Sequence, residues 1–214
     1  MKLCAAAAVL SACQSRDIEK GRVCLGLGDY ALARTFFAKV VEEYPEGYPG
    51  RYGLGQALLQ QSLAEGDSAS FAHAMVQFEA CRSIRPSQDL TELLTDAYTE
   101  RARGLLNRKD TVSALATLAK AIERNPANPQ PVNLVGIIYG KLGDPAKAAA
   151  LFGKALDLDS ADASAHFNLG MIRWQAGEYA KAHEHWLKAL KALPKDEDVL
   201  YWFALSEKRL RESP

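Results

Sequence analysis

The sequence has no surplus of charge: Lys plus Arg and Asp plus Glu number 26 each. A polyanion binder carries a basic excess, so this balance, with signs interspersed and no like-charge block, argues against a nucleic-acid partner. Beyond the first dozen residues, no apolar run approaches the roughly 18 to 20 needed to span a bilayer. Catalytic signatures are also missing. Gly26-x-Gly28 and Gly53-x-Gly55 follow no strand and lack a Gly-Lys-Ser/Thr ending, so they read as turn and packing glycines. No Gly-x-Ser-x-Gly or nucleophile–base pair occurs, and no catalytic residue is assigned. Histidine is scarce, at four. His183 and His185 stand about 200° apart on a helix and cannot share one ion. His73 and His166 have no recognisable ligand spacing, so neither a metal nor another cofactor is expected.

The chain opens with MKLCAAAAVLSAC. Lys2 precedes an apolar stretch from Leu3 to Leu10, and the small residues Ser11 and Ala12 follow, in the order of a secretory signal. Leu10-Ser11-Ala12-Cys13 resembles the lipobox of bacterial lipoprotein signal peptides. That resemblance implies a signal over residues 1–12 and acylation of Cys13, which becomes a membrane anchor because each buried methylene contributes about 0.8 kcal/mol. Gln14, where lipoproteins retained at the inner membrane often carry Asp, implies the inner leaflet of the outer membrane, facing the periplasm. Residues 13–17 then form a lipidated tether, with roughly 14 Å of reach from Gln14 to Asp17. Of the remaining cysteines, Cys24 and Cys81, an oxidising compartment would permit a disulfide. Both align with core positions of different units, so buried free thiols are the expectation.

A fixed period organises the rest. NLVGIIYGKLGDPAKAAALFGKALDLDS and NLGMIRWQAGEYAKAHEHWLKALKALP align without gaps at 34 residues: Gly136 with Gly170, Gly143 with Gly177, Ala148 with Ala182, Phe152 with Trp186, Ala155 with Ala189. Each stretch holds two amphipathic helical patterns, with small residues where helices approach and large ones filling the gaps. Gly-Asp or Gly-Glu marks the turn, and Pro45, Pro86, Pro126 and Pro194 end second helices. Earlier units follow through Ala114, Leu118 and Ala121, and through Gly28-Asp29-Tyr30, Ala33 and Phe37. Another unit, from Tyr48 to Pro86, holds about seven extra residues around SLAEGDSAS.

Period and pattern resemble the tetratricopeptide repeat. The fold implied is all-α, a right-handed superhelix (α-solenoid) over residues 18–214. Its units lie near 18–47, 48–88, 89–128, 129–162 and 163–196, with a capping helix in 197–214. Members of that family bind peptides along the wall made by the first helix of each unit. Carried over, the groove comprises Tyr52, Gln56 and Leu59, then Arg103 and Leu106, then Asn133, Ile137 and Lys141, then Phe167, Met171 and Trp174. The last three share a helical face. Two readings of them stand: an apolar groove, or core contacts by Phe167 and Met171 with only Trp174 showing. Arg173 occupies the place where Tyr139 packs one unit earlier, which leaves the local helix rotation open. First-helix positions lack the full Lys and Arg set of the chaperone-binding carboxylate clamp. Small lipoproteins of these repeats resemble pilotin and assembly proteins of type IV and Tad pili. The implied role is a noncatalytic scaffold for pilus or secretion assembly, the alternative an envelope adaptor recruiting peptidoglycan enzymes or proteases.

Overall fold

The turns come first, because they decide where each helix stops. In a computed structural model describing residues 15–212, Gly28, Gly143 and Gly177 take φ of 78°, 82° and 77°. The amide after each reaches back five residues: Asp29 to Cys24 O, Asp144 to Tyr139 O and Glu178 to Arg173 O, at 2.9 to 3.0 Å. This left-handed closure satisfies carbonyls that a helix end leaves bare. The next helix then starts on a side-chain cap. Asp29 accepts from the Leu32 amide and Asp144 from that of Lys147. Glu178, one methylene longer, caps nothing and instead pairs with Arg173 and Lys181, at 2.9 and 3.3 Å. Arg173 is thereby held on its own unit.

Among the described residues eleven helices follow, with no strand: α1 (15–26), α2 (Tyr30–Glu43), α3 (Tyr48–Glu65), α4 (Ser68–Ile84), α5 (Gln88–Asn107), α6 (Thr111–Arg124), α7 (Pro129–Lys141), α8 (Pro145–Leu158), α9 (Ala163–Gln175), α10 (Tyr179–Ala192) and α11 (Glu197–Glu212). The expected all-α repeat class stands. Helices α2, α4, α6 and α10 each end two residues before the prolines singled out above. The intervening residue is pushed out of helical conformation by the proline ring.

One expectation changes in detail. Ser15, Arg16 and Asp17, expected in the tether, are already helical, and Asp17 is buried and bonded to Lys39 at 2.8 Å. Residues 1–14, with Cys13, lie outside the described residues. The extra residues around SLAEGDSAS lengthen α3 and α4 to 18 and 17 residues around a two-residue turn, Gly66-Asp67. Asp67 accepts from the amides of Ala69 and Ser70, and with the Ser70 hydroxyl these hold its carboxyl down at about 2.

The chain forms two units, one through Gly104 and one from Leu105. In the first, Phe37 is 1% exposed and lies against two glycines, Gly21 of α1 and Gly53 of α3, where a Cβ would overlap its ring. Gly50 leaves room for Val40, and Gly55 for Phe78. Helix α4 meets α5 through Phe71 and Tyr98, edge to face at 5.5 Å, and through Arg101, which donates to Ser68 Oγ and lies over Phe71. In the second unit, Val132, Ala148, Phe152, Ala155, Ala165 and Leu169 form a core, with Phe152 set against Gly136. Trp186, fully buried, sits against Gly170 in the same way and donates from Nε1 to Phe167 O at 3.2 Å.

Candidate functional site

The inner positions of first helices α3 and α5 define the candidate face of the first unit. Tyr52 is half-buried, stacked on Tyr48 at 5.7 Å and edge-on to Phe78 at 5.9 Å. Burial first, then the neighbouring Tyr48, Cys81 and Asp89, raises its phenol pKa. Gln56 is half-buried, one turn on. Leu59 is 6% exposed and belongs to the interior, not to the groove wall expected for it. Arg103 is exposed and pairs with Glu100 at 3.1 Å. Glu92, Asp96 and Glu100 share one face of α5. Burial and then its two acidic neighbours raise the Asp96 pKa. Sequence reading passed over these acids, although their four-residue spacing is visible.

In the second unit the inner positions belong to α7 and α9, with Leu106 half-buried near the end of α5. Asn133 is 7% exposed, and its Oδ1 has no hydrogen-bond partner. That oxygen is itself buried, so it lies inside the unit and faces no incoming segment. Ile137, one turn along, is half-buried against the core, and Lys141, a further turn on, is exposed. Phe167 and Met171 are half-buried on α9. Trp174 is likewise half-buried: it meets Tyr179 at 4.7 Å, Trp186 at 5.7 Å and Trp202 of α11 at 6.0 Å, which cover part of its indole. All three tryptophans of the chain therefore converge on α9, α10 and α11.

The histidines separate as helical geometry requires. His185 faces His166 of α9, whereas His183 bonds Ser206 Oγ of α11 at 2.9 Å and stacks on Phe203. Among the described residues no group of three or more His, Cys, Asp or Glu could hold a metal ion, and no helix is long and apolar enough to cross a membrane. Cys24 and Cys81 are buried free thiols. Burial pushes that of Cys81 up to about 11, against the opposing charge of Arg51.

Antiparallel helix pairs, left-handed Gly-Asp closures and a small residue set against each aromatic define a helix-pair repeat protein. The model of the tetratricopeptide repeat family matches residues 18–72 and 136–197, more than half of the chain, and the chain belongs to that family. A curated relative, the serine/threonine-protein kinase PknD of Chlamydia abortus, is 30% identical over 86 residues, 36% of this chain. The chain spans only 9% of that kinase's length. Among solved structures, a tetratricopeptide repeat protein from Parabacteroides merdae has a TM-score of 0.58 at 17% identity, covering 94% of this chain and 75% of that one. YrrB, described as a TPR protein with an unusual peptide-binding site, has a TM-score of 0.53 at 19% identity, covering 86% and 89%. Both likenesses concern the fold.

Proposed function

We propose that the chain is a noncatalytic scaffold that takes up a peptide or helical segment of another protein on the inner faces of its first helices. The observation carrying this reading is the face of α7 on which half-buried Ile137 and exposed Lys141 stand one turn apart. Ile137 would meet an apolar side chain of an incoming segment, and Lys141 would favour an acid nearby. The peptide-binding site described for YrrB supports the same use of the fold.

The place of action proposed is the bacterial envelope, with Cys13 as lipid anchor and a pilus or secretion component as partner. Its support is the sequence Leu10-Ser11-Ala12-Cys13 and the short path from Cys13 to the first helical residues. The test is recovery of partners from detergent-solubilised membranes by the full chain, by Lys141→Glu and by Cys13→Ala. Lys141→Glu is expected to weaken capture of one defined pilus or secretion component about tenfold while circular dichroism is unchanged. Cys13→Ala is expected to abolish palmitate labelling and membrane attachment while leaving that affinity intact. Undiminished capture by Lys141→Glu removes the groove reading. Failure of palmitate to label the unsubstituted chain removes the anchor.

A further inference from the structure

The two equivalent positions that hold Val132 and Leu151 in one unit hold histidines in the next. Val132 lies in the core of the second unit and Leu151 packs against it. Thirty-four residues on stand His166 and His185, their Nδ1 atoms 3.1 Å apart and ring centroids 5.3 Å apart. Two bare lone pairs at that distance repel, so one N–H lies between them. Which ring supplies it is fixed at the far nitrogen. His166 Nε2 is 3.2 Å from the carbonyl of Ser160, which only accepts, so Nε2 carries the His166 proton. Its Nδ1 is therefore bare, and His185 Nδ1–H donates to it.

We propose that this pair is a proton-controlled latch between α9 and α10, closed while both imidazoles are neutral and opened by acid. A proton added at His185 Nε2 leaves the bond in place but creates a cation in a half-buried ring. A proton on His166 Nδ1 removes the acceptor and sets two N–H groups face to face. Around the rings stand Lys188 and Glu184 of α10 and Arg173 and Asp162 of the α9 segment. Lys188 and Arg173 oppose added positive charge, while Asp162 and Glu184 favour it. Burial is the largest influence on both rings, holding His185 down at about 4 and His166 below its usual value. The sign follows. Below about 6.5 the unfolded chain takes up protons that the closed latch refuses, so stability is lost as pH falls from about 6.5 towards 4. Trp186 is the residue after His185, and opening loosens its seat on Gly170.

Because every tryptophan lies on α9, α10 or α11, tryptophan emission of the full chain, excited where tyrosine does not absorb, reads this region. Emission is followed from pH 7.5 to 4.5 for the unsubstituted chain, His185→Asn and His183→Asn. Asparagine at 185 donates to neutral His166 and, turned over, accepts from the protonated ring, so it should remain closed. A red shift growing below pH 6.5 is expected in the unsubstituted chain and in His183→Asn, and is expected to be absent in His185→Asn. Superimposable curves for the unsubstituted chain and His185→Asn overturn the latch. Histidine Hε1 resonances of the unsubstituted chain give a check that needs no variant: His166 and His185 titrating near 6.5, as free imidazoles do, overturns it as well.

Discussion

The two units solve one packing problem differently. In the second, α7 to α10 are 13 or 14 residues long and repeat at 34, with one glycine per first helix receiving one aromatic: Gly136 with Phe152, and Gly170 with Trp186. In the first, α3, α4 and α5 run to 18, 17 and 20 residues, and α3 carries glycines on two sides. Gly50 and Gly53 admit α2, and Gly55 admits α4. A regular unit needs close approach once per helix pair. The longer α3 is met closely on both flanks, and removing side chains is how it accommodates two neighbours.

The strongest way to break this comparison is to empty the notch of the regular unit. Trp186→Ala removes a side chain with no exposed surface and is expected to cost about 3–5 kcal/mol. Repeats contact their neighbours, so amide exchange should rise across α9 to α11 far more than across α2 to α4. Equal loss of protection in both units would show that they do not differ as described. A smaller effect sharpens the other side. Gly53→Ala puts a methyl group into the Phe37 ring, which is wedged between Gly53 and Gly21 and has no room to turn. The overlap is expected to cost about 1–3 kcal/mol, outweighing the roughly 1 kcal/mol by which Ala favours a helix over Gly. Denaturant midpoints measure both, and a Gly53→Ala chain no less stable than the original would remove close approach from the account of α3.

What the sequence disclosed follows the same division. The 34-residue period locates the turns, the capping acids and the Gly136 and Gly170 notches, because in a repeat those features recur at fixed offsets. Gly21 was equally legible, 34 residues before Gly55, and would have placed Ser15 to Asp17 in a helix. Lengthened helices hide from a period, since SLAEGDSAS holds both turn residues and good helix formers. The cover that Trp202 gives Trp174 was hidden because it comes from α11, and first-helix numbering alone does not show what that helix brings. The His166–His185 contact joins residues 19 apart that match no ligand motif. It becomes visible only when Val132 and Leu151 are known to touch the same core.

The subtlest difference concerns a turn that breaks the glycine rule. Lys109 takes φ of 63° where Gly28, Gly143 and Gly177 stand in the equivalent closures. Its turn is otherwise built alike: the amide of Asp110 reaches Leu105 O at 2.9 Å, and the Asp110 carboxylate accepts from the amide of Ser113 at 3.1 Å. A lysine Cβ in that left-handed conformation crowds its own backbone, at a cost on the order of 1 kcal/mol that glycine avoids. Glycine loses more backbone freedom on folding, which offsets part of the gain. Lys109→Gly is therefore expected to raise stability by about 0.5–1 kcal/mol, and Gly143→Lys to lower it by a similar amount, both read from urea midpoints at unchanged slope. If Lys109→Gly lowers stability instead, the lysine side chain holds this turn by contacts that outweigh its backbone strain, and the closure after α5 is of a different kind from the one after α7.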